Sequence, residues 1–463
     1  MTPPFDSSAL SSGEKDALIA TLLARLEELS KRLAALEAEN ATLREKLNLP
    51  PKTPNNSSTP PSQGRKASSA PTRRPKRKPH AGVHRPLHPD PTRKRDVLAE
   101  HCQHCGTSVA ATPQVACEAY DRIEIPEIKP DVTRVTLYGG VCPCCAKRFK
   151  AAPPQGLEPG SPFGPNLRAF ALYLRFTQAI SFERLSHLFC DLLGLDISEG
   201  ARVNMLHNSR QAFAQQASLI RARLLASTIL ASDETSMRVG KQNWWAWVFH
   251  HADSACFVIH RNRSRIVVEE FLASRRPDFW LSDRLPSQMD WAKKDHQACL
   301  AHLIREAKYA IEAGDSAFAP GLRKLLKRAC AIAARRAQLA DATLRSYAYK
   351  LEAALDALMR IAPVHAAGKK LQTAITGCRR FLFVFLANRA IEPTNNGSEQ
   401  ALRPCVIFRK VTNCFRSQSG ANLYADIRSV IETPRRRCIG ALEAIRLTLN
   451  GTPLPAPAQN LSG

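Results

Sequence analysis

From Ser227 the chain reads STILASDETSMRV, NWWAWVFHH and SACFVIHRN, three stretches rich in β-branched and aromatic residues, separated by short polar turns around VGKQ and HAD. Runs of this length and composition predict a three-strand meander. RIVVEEFLAS follows with helical spacing of its apolar residues, DFWLSD is a fourth strand candidate, and the pattern from Trp291 to Ala313 predicts one long helix. Strand, strand, strand, helix, strand constrains the fold more than any other part of the chain.

That order predicts an α/β domain with a ribonuclease-H-like core. In such a layout an acid midway along the first strand lies beside an acid that ends the fourth, and these positions hold Asp233 and Asp283. Each follows an apolar strand, ILAS or FWLS, so both carboxylates are expected where buried strand meets solvent. Close carboxylates repel unless a cation joins them, and oxygen-only donors facing a phosphate substrate favour Mg²⁺, or Mn²⁺. A two-metal phosphodiester site needs a further acid at the start of a packed helix. Glu399, in IEPTNNGSEQALRPCVIFRK, fits that place. Thr394, Asn395 and Asn396 are expected to cap the helix with their side chains, and Ala401, Leu402 and Val406 to pack it. The bland alternative is a strand-end turn for each aspartate and a dipole-favouring first-turn residue for the glutamate. The interval between Asp283 and Glu399 is helical in pattern throughout. It predicts an all-α insertion at about 315–385, either contacting DNA through basic faces or serving as a buttress.

Charge points the same way. Lys and Arg number 66 against 41 Asp and Glu, a net charge of +25, which suits a polyanionic partner, with nucleic acid the first candidate. A basic solvated surface or a membrane surface are the alternatives. The start, MTPPFDSSALSS, has no basic and apolar signal regions, and FLFVFLA is far shorter than the roughly 20 residues that span a bilayer. The expectation is a soluble cytoplasmic protein associated with the nucleoid, with no membrane partner and with its 14 cysteines reduced.

The flanking segments carry their own signals. Leu22, Leu29, Leu36 and Leu43 recur every seven residues, interleaved with Ile19, Leu26, Leu33, Asn40 and Leu47. This heptad predicts a coiled coil within 1–49 that pairs two chains through residues 19–47, with Asn40 fixing register. The alternative is an amphipathic helix docked on the chain's own core. Residues 50–96 are dominated by proline, serine and basic side chains, and predict a disordered arm. Its densest cluster, Arg73, Arg74, Lys76, Arg77 and Lys78, would neutralise DNA phosphates. In 97–155, Cys102-x-x-Cys105 and Cys142-x-x-Cys145 offer four thiolates to a tetrahedral Zn²⁺, with His101 or His104 as substitute ligands and Cys117 and Cys144 spare. Residues 156–226 predict short helices in a helix-turn-helix-like layout that contacts DNA or simply connects. The catalytic domain is placed at 227–437 and a C-terminal helix and tail at 438–463.

Taken together, the zipper, NNSSTPPS, the paired C-x-x-C element, FGPNL…DISEG, SDETSMRVGK…WWAWVF, QACLAHLIRE and PTNNGSEQALRPCVIFRKVTN resemble transposases of the IS66 insertion-sequence family. The resemblance implies a DDE-type enzyme that binds transposon ends and target double-stranded DNA, nicks the ends with divalent metal and joins the freed 3′-hydroxyls to target DNA. Accessory proteins of the same element are possible partners. It implies Asp233, Asp283 and Glu399 as the triad. His302 or Arg305, in the family-like QACLAHLIRE segment, would orient a scissile phosphate, and Arg403, Arg409 and Lys410 would hold DNA backbone. His302 could instead be a helix-packing histidine. The chain departs from the family pattern at Arg284-Leu285, at Cys414 and at Gln418-Ser419. The competing function is a non-catalytic DNA-binding remnant or a zinc-binding DNA regulator.

Overall fold

The computed structural model describes residues 11–53, 55–57 and 85–457; the side chains of 41, 42 and 44–48 are outside it. The Arg73–Lys78 cluster therefore lies outside the described residues. The chain divides into two compact units, one made of residues 66–158 and 186–197 and the other of the remainder.

In the larger unit, helix α1 (Ser12–Asn48) is continuous and solvent-facing. Heptad side chains on it are bare: Leu22, Leu29 and Leu36 are 51%, 61% and 62% exposed, so no surface among the described residues covers them. The arm does not begin where composition placed it. Asn56 is buried, its Oδ1 accepts from the Thr53 N–H (2.6 Å), and its Nδ2 donates to Glu312 (2.6 Å). The asparagine makes its own turn and ties it to a distant helix, which a reading based on low hydrophobicity could not see.

The smaller unit carries β1 (Gly139–Val141), paired antiparallel with β2 (Arg148–Lys150). Helices α2 (Pro165–Leu172), α3 (Phe182–Leu193), α4 (Glu199–Asn208) and α5 (Arg210–Leu225) follow, α3 running from the larger unit into the smaller. A π-helical turn at Tyr173–Thr177 extends α2.

The sheet is built from β3 (Ile229–Val239), β4 (Gln242–His251), β5 (Ser254–His260), β6 (Phe279–Ser282) and β7 (Asp295–Ala298). Its order is β5-β4-β3-β6-β7, antiparallel among the first three and parallel from β3 through β6 to β7. Helix α6 (Arg265–Leu272) makes the crossover. The meander, the crossover helix and the fourth strand stand where the sequence pattern put them. β7 does not: the stretch from Trp291 to Ala313 is a strand followed by helix α7 (Leu300–Glu312). DHQA has no β-branched residue to announce it. A buried side chain fastens the strand to the insertion, because the Gln297 amide donates to the Leu382 carbonyl (3.0 Å) and accepts from the Phe385 N–H (3.0 Å).

The insertion is all-helical, as expected: α8 (Ala319–Arg335), α9 (Asp341–Met359), α10 (Ala366–Cys378) and the short α11 (Val384–Ala387). It has its own apolar core, in which Phe318, Leu322, Leu326, Leu355, Ile375 and Phe385 are buried. A second core lies around the sheet, where Trp247, Phe249 and Trp280 meet α12 (Asn396–Thr412), α13 (Gln418–Arg436) and α14 (Ala441–Leu449). β5 is an edge strand, and such an edge needs covering. α13 covers it, with Ser429 and Thr433 accepting from the Phe257 and Ala255 N–H groups (2.8 and 3.0 Å). α5 packs on the same strand and on α13, so this stretch of the 156–226 segment is part of the core.

Replacing Gln297 by Ala strands the Leu382 carbonyl and the Phe385 N–H in the interior. Each orphaned group costs about 1–3 kcal/mol, so urea unfolding is expected to report a loss of about 2–4 kcal/mol.

Candidate active site

β3 and β6 pair in parallel with Ala231 beside Leu281. Two residues further along each chain, the same alignment brings Asp233 level with Asp283. Asp233 is half-buried in β3 and its Oδ1 accepts from the Glu234 N–H (2.8 Å). Asp283 begins the loop after β6 and accepts from the Leu285 N–H (3.1 Å). Burial, then the charges of Glu234, Asp283 and Glu399, push the Asp233 carboxyl well above the ordinary carboxylate range. The charges of two acids from distant parts of the chain thus reach the Asp233 carboxyl.

Glu399 arrives by an unexpected route. Asn395 does occupy the N-cap of α12, but its side chain makes no cap hydrogen bond. Its Nδ2 instead donates to the Ser232 carbonyl in β3 (2.8 Å), and its N–H donates to the Cys299 sulfur (3.1 Å) at the start of α7. A relay completes the anchor. Arg436 donates to His250 Nδ1 (3.2 Å), which leaves Nε2 to donate to Ser398 Oγ (2.8 Å), and Ser398 donates to Asn395 Oδ1 (2.7 Å). Asn395, Ser398 and Ser232 are fully buried, so a conventional cap facing solvent is not open to this asparagine. Burial and the neighbouring Arg436 hold His250 well below the usual imidazole range, consistent with its neutral role. Gly397 is required as well: a Cβ there would sit 3.0 Å from the His250 ring. The TNNGSE turn is therefore a cross-link between the strand bearing Asp233 and the helix bearing Glu399.

Helix α7 lines the other side. Arg305 Nη2 lies 2.5 Å from Glu399 Oε1, and His302 Nε2 lies 3.6 Å from the same oxygen. Burial and then Arg305 lower the His302 imidazole, and its Nδ1 is buried without a hydrogen-bond partner. Asp283, Arg284, His302 and Glu306 line one cavity of about 270 Å³, with Arg284 paired to Glu306 at 2.5 Å. The departure at Arg284 thus has a partner one helical turn beyond His302.

Not every expected residue is where it was placed. Arg409 bonds to the Ser236 carbonyl and to its hydroxyl (2.6 Å), bracing α12 on β3, while Arg403 and Lys410 are exposed. Glu234 was missed. Alternation along a strand sends it to the face opposite Asp233, and only its contacts reveal it. Its side chain is 1% exposed and is held by Arg263 (2.7 Å) and by Gln288, which in turn accepts from Ser232 (2.5 Å). Burial and Asp283 raise its carboxyl.

The cysteine pairs form two similar turns. Gly106 and Ala146, both left-handed (φ 74° and 55°), donate their N–H groups to Cys102 O and Cys142 O. N–H groups of Cys145 and Cys144 draw the Cys142 thiol down, as Thr107 does for Cys105. The two pairs are not gathered into one cluster. Among the described residues no three His, Cys, Asp or Glu side chains come close enough to share an ion. Nor is any helix among them long and apolar enough to cross a membrane.

A sequence model of the transposase IS66 family matches residues 160–423, from α2 into the first turns of α13. The chain belongs to the IS66 transposase family. No curated protein matches it. The match spans the sheet, the insertion, α12 and all the acids described above.

A raised folded-state carboxyl is a stability cost that grows as pH rises above the unfolded value of about 4. In metal-free buffer, Asp233→Asn is expected to melt at a higher temperature than wild type at neutral pH. The gap is expected to close as pH falls through about 4. Melting curves across pH check this.

Proposed function

We propose that the chain is an active DDE transposase that binds transposon ends and performs metal-dependent phosphodiester cleavage and strand transfer. One observation carries the reading: the parallel register of β3 and β6 sets Asp233 level with Asp283, and the charges of Asp283 and Glu399, both remote in sequence, reach Asp233 and raise its proton affinity. The strand order, three antiparallel then two parallel, supports a ribonuclease-H-like core.

The donor chemistry suits Mg²⁺ or Mn²⁺: hard oxygen ligands, with repulsion on Asp233 that a divalent ion relieves. Asp233, Asp283 and Glu399 would hold it by closing their side chains on the ion, since as they stand no three such groups among the described residues are near enough to share one. Bound there, such ions would supply Lewis acidity for the attacking water or 3′-hydroxyl and for the charge on phosphorus and the leaving oxygen. The remaining tasks fall to this chain's own side chains. Arg305 balances Glu399 and is within reach of a phosphate oxygen beside it. His302, neutral and facing the cavity, can donate to or accept from that phosphate. Asn395 keeps Glu399 in register with Asp233, and Gln288 with Arg263 holds Glu234 out of the way of the reacting group.

Two appendages extend the reading. The bare heptad face of α1 suits a second copy of this chain, since Asn40 at a core position favours a paired register. The matched knuckle turns, with N–H groups directed at sulfur, suit thiolate ligands of Zn²⁺, although their two halves stand apart. The basic arm, Arg403 and Lys410 suit DNA phosphates.

Asp233→Asn, Asp283→Asn and Glu399→Gln are each expected to abolish Mg²⁺-dependent nicking of DNA carrying the element's ends while leaving DNA binding intact; unchanged nicking in all three removes the assignment. Metal analysis of purified protein is expected to find zinc that Cys102→Ser or Cys142→Ser releases, whereas equal zinc in wild type and both variants contradicts the knuckle reading.

A further inference from the structure

The two elements that deliver Asp233 and Glu399 also run to a common destination. β3 continues from Asp233 to Val239 and turns at Gly240, and α12 continues from Glu399 to Thr412. There the segment after α12 joins the hairpin tip. Phe415 forms a parallel bridge with Val239; its N–H donates to Arg238 O (3.2 Å) and its carbonyl accepts from the Gly240 N–H (2.8 Å). The joint is stiff. The Phe415 ring packs on Phe408 and Tyr424 at 5.5 and 5.2 Å, and Arg409 ties α12 to Ser236.

The chemistry of this joint is one-sided. Residues 235–252 and 400–425 contain no aspartate or glutamate, yet they contribute Arg238, Lys241, Arg403, Lys410 and Arg416. All five are exposed. Several basic side chains elsewhere in the same unit have acids in reach, as Arg336 has Glu392, Arg379 has Asp356 and Arg389 has Asp341. A rigid, acid-free, multiply cationic surface fits a polyanion rather than a folded protein partner with mixed charge.

Its distance from the acids is also set by the two elements. Five residues of strand separate Asp233 from Arg238, roughly 17 Å. Eleven residues of helix separate Glu399 from Lys410, again roughly 17 Å. One strand of B-DNA places a phosphate about every 3.4 Å along the axis, so this span covers about five phosphates.

We propose that the β3–β4 hairpin tip, with Arg238, Lys241 and Arg416 and with Lys410 beside it, is a duplex-DNA platform that grips the phosphate backbone about five nucleotides from the acidic site. Arg403, one helical turn from Glu399, lies on the path between. The inference rests on the reading of the protein as a DNA-acting enzyme, and Arg409, assigned to DNA by resemblance, is in this account a brace for the platform.

The test uses the full chain and a short duplex of arbitrary sequence, with affinity followed by fluorescence anisotropy over a range of KCl concentrations. Each phosphate contact contributes about 0.9 to the slope of log affinity against log salt, so Arg238→Gln/Lys241→Gln/Arg416→Gln is expected to be shallower by about 3. All three side chains are exposed, so the melting temperature should stay at the wild-type value. Acetylation of Lys241 and Lys410, read by mass spectrometry, should slow when the duplex is present. A wild-type slope in the triple variant, or unprotected lysines, overturns the platform while leaving the catalytic reading standing. Wild-type protein that fails to bind any duplex overturns both.

Discussion

Like charge gathered around the Asp233 carboxyl, whose own burial already favours the protonated form, is the constraint around which this site is built. The parallel register of β3 and β6 aligns Asp233 with Asp283, and α12 adds Glu399. Left alone, such a group would push its members apart or take up protons. The surrounding structure resists that by over-determining each carrier. β3 is paired on both sides, Glu234 is engaged by Arg263 and Gln288, and Glu399 is held by Arg305. The charge gathered around Asp233 is balanced by ordinary packing and hydrogen bonding elsewhere, as is common where perturbed acids line a functional site.

The most economical part of that arrangement is the turn before α12. A terminal cap would have left Glu399 dependent on the helix alone. By spending its amide on Ser232, Asn395 makes the position of Glu399 a property of the sheet. The same strand and helix then meet again at Phe415, so the acidic site and the basic hairpin tip are two ends of one rigid pair of elements. Any displacement of α12 along β3 would move both together.

Much of this was legible in the sequence, for reasons that can be named. β3, β4, β5 and β6 are dense in aromatic and β-branched residues, and their order with α6 leaves little freedom. The insertion's helices follow from their apolar periodicity, and the heptad of α1 from its strict repeat. β7 was not legible, because Asp295–Ala298 holds its place through the Gln297 side chain and not through propensity. Glu234 was hidden by strand alternation, Asn395 by its resemblance to an ordinary cap, and Arg409 because a cation bonded to Ser236 reads in sequence like a free one. The docked turn at Asn56 was hidden within a proline- and serine-rich segment. Each miss is a side chain acting over a long sequence separation, which local patterns do not encode.

The claim that the acids form one metal centre can be read directly from the chain. Ferrous iron substitutes for Mg²⁺ at oxygen-rich sites and, with ascorbate and peroxide, cuts the nearby backbone. The account expects cuts close to Asp233, Asp283 and Glu399 together, suppressed by excess Mg²⁺ and lost in Asp233→Asn. Cuts confined to other segments, or none that Mg²⁺ suppresses, would contradict it.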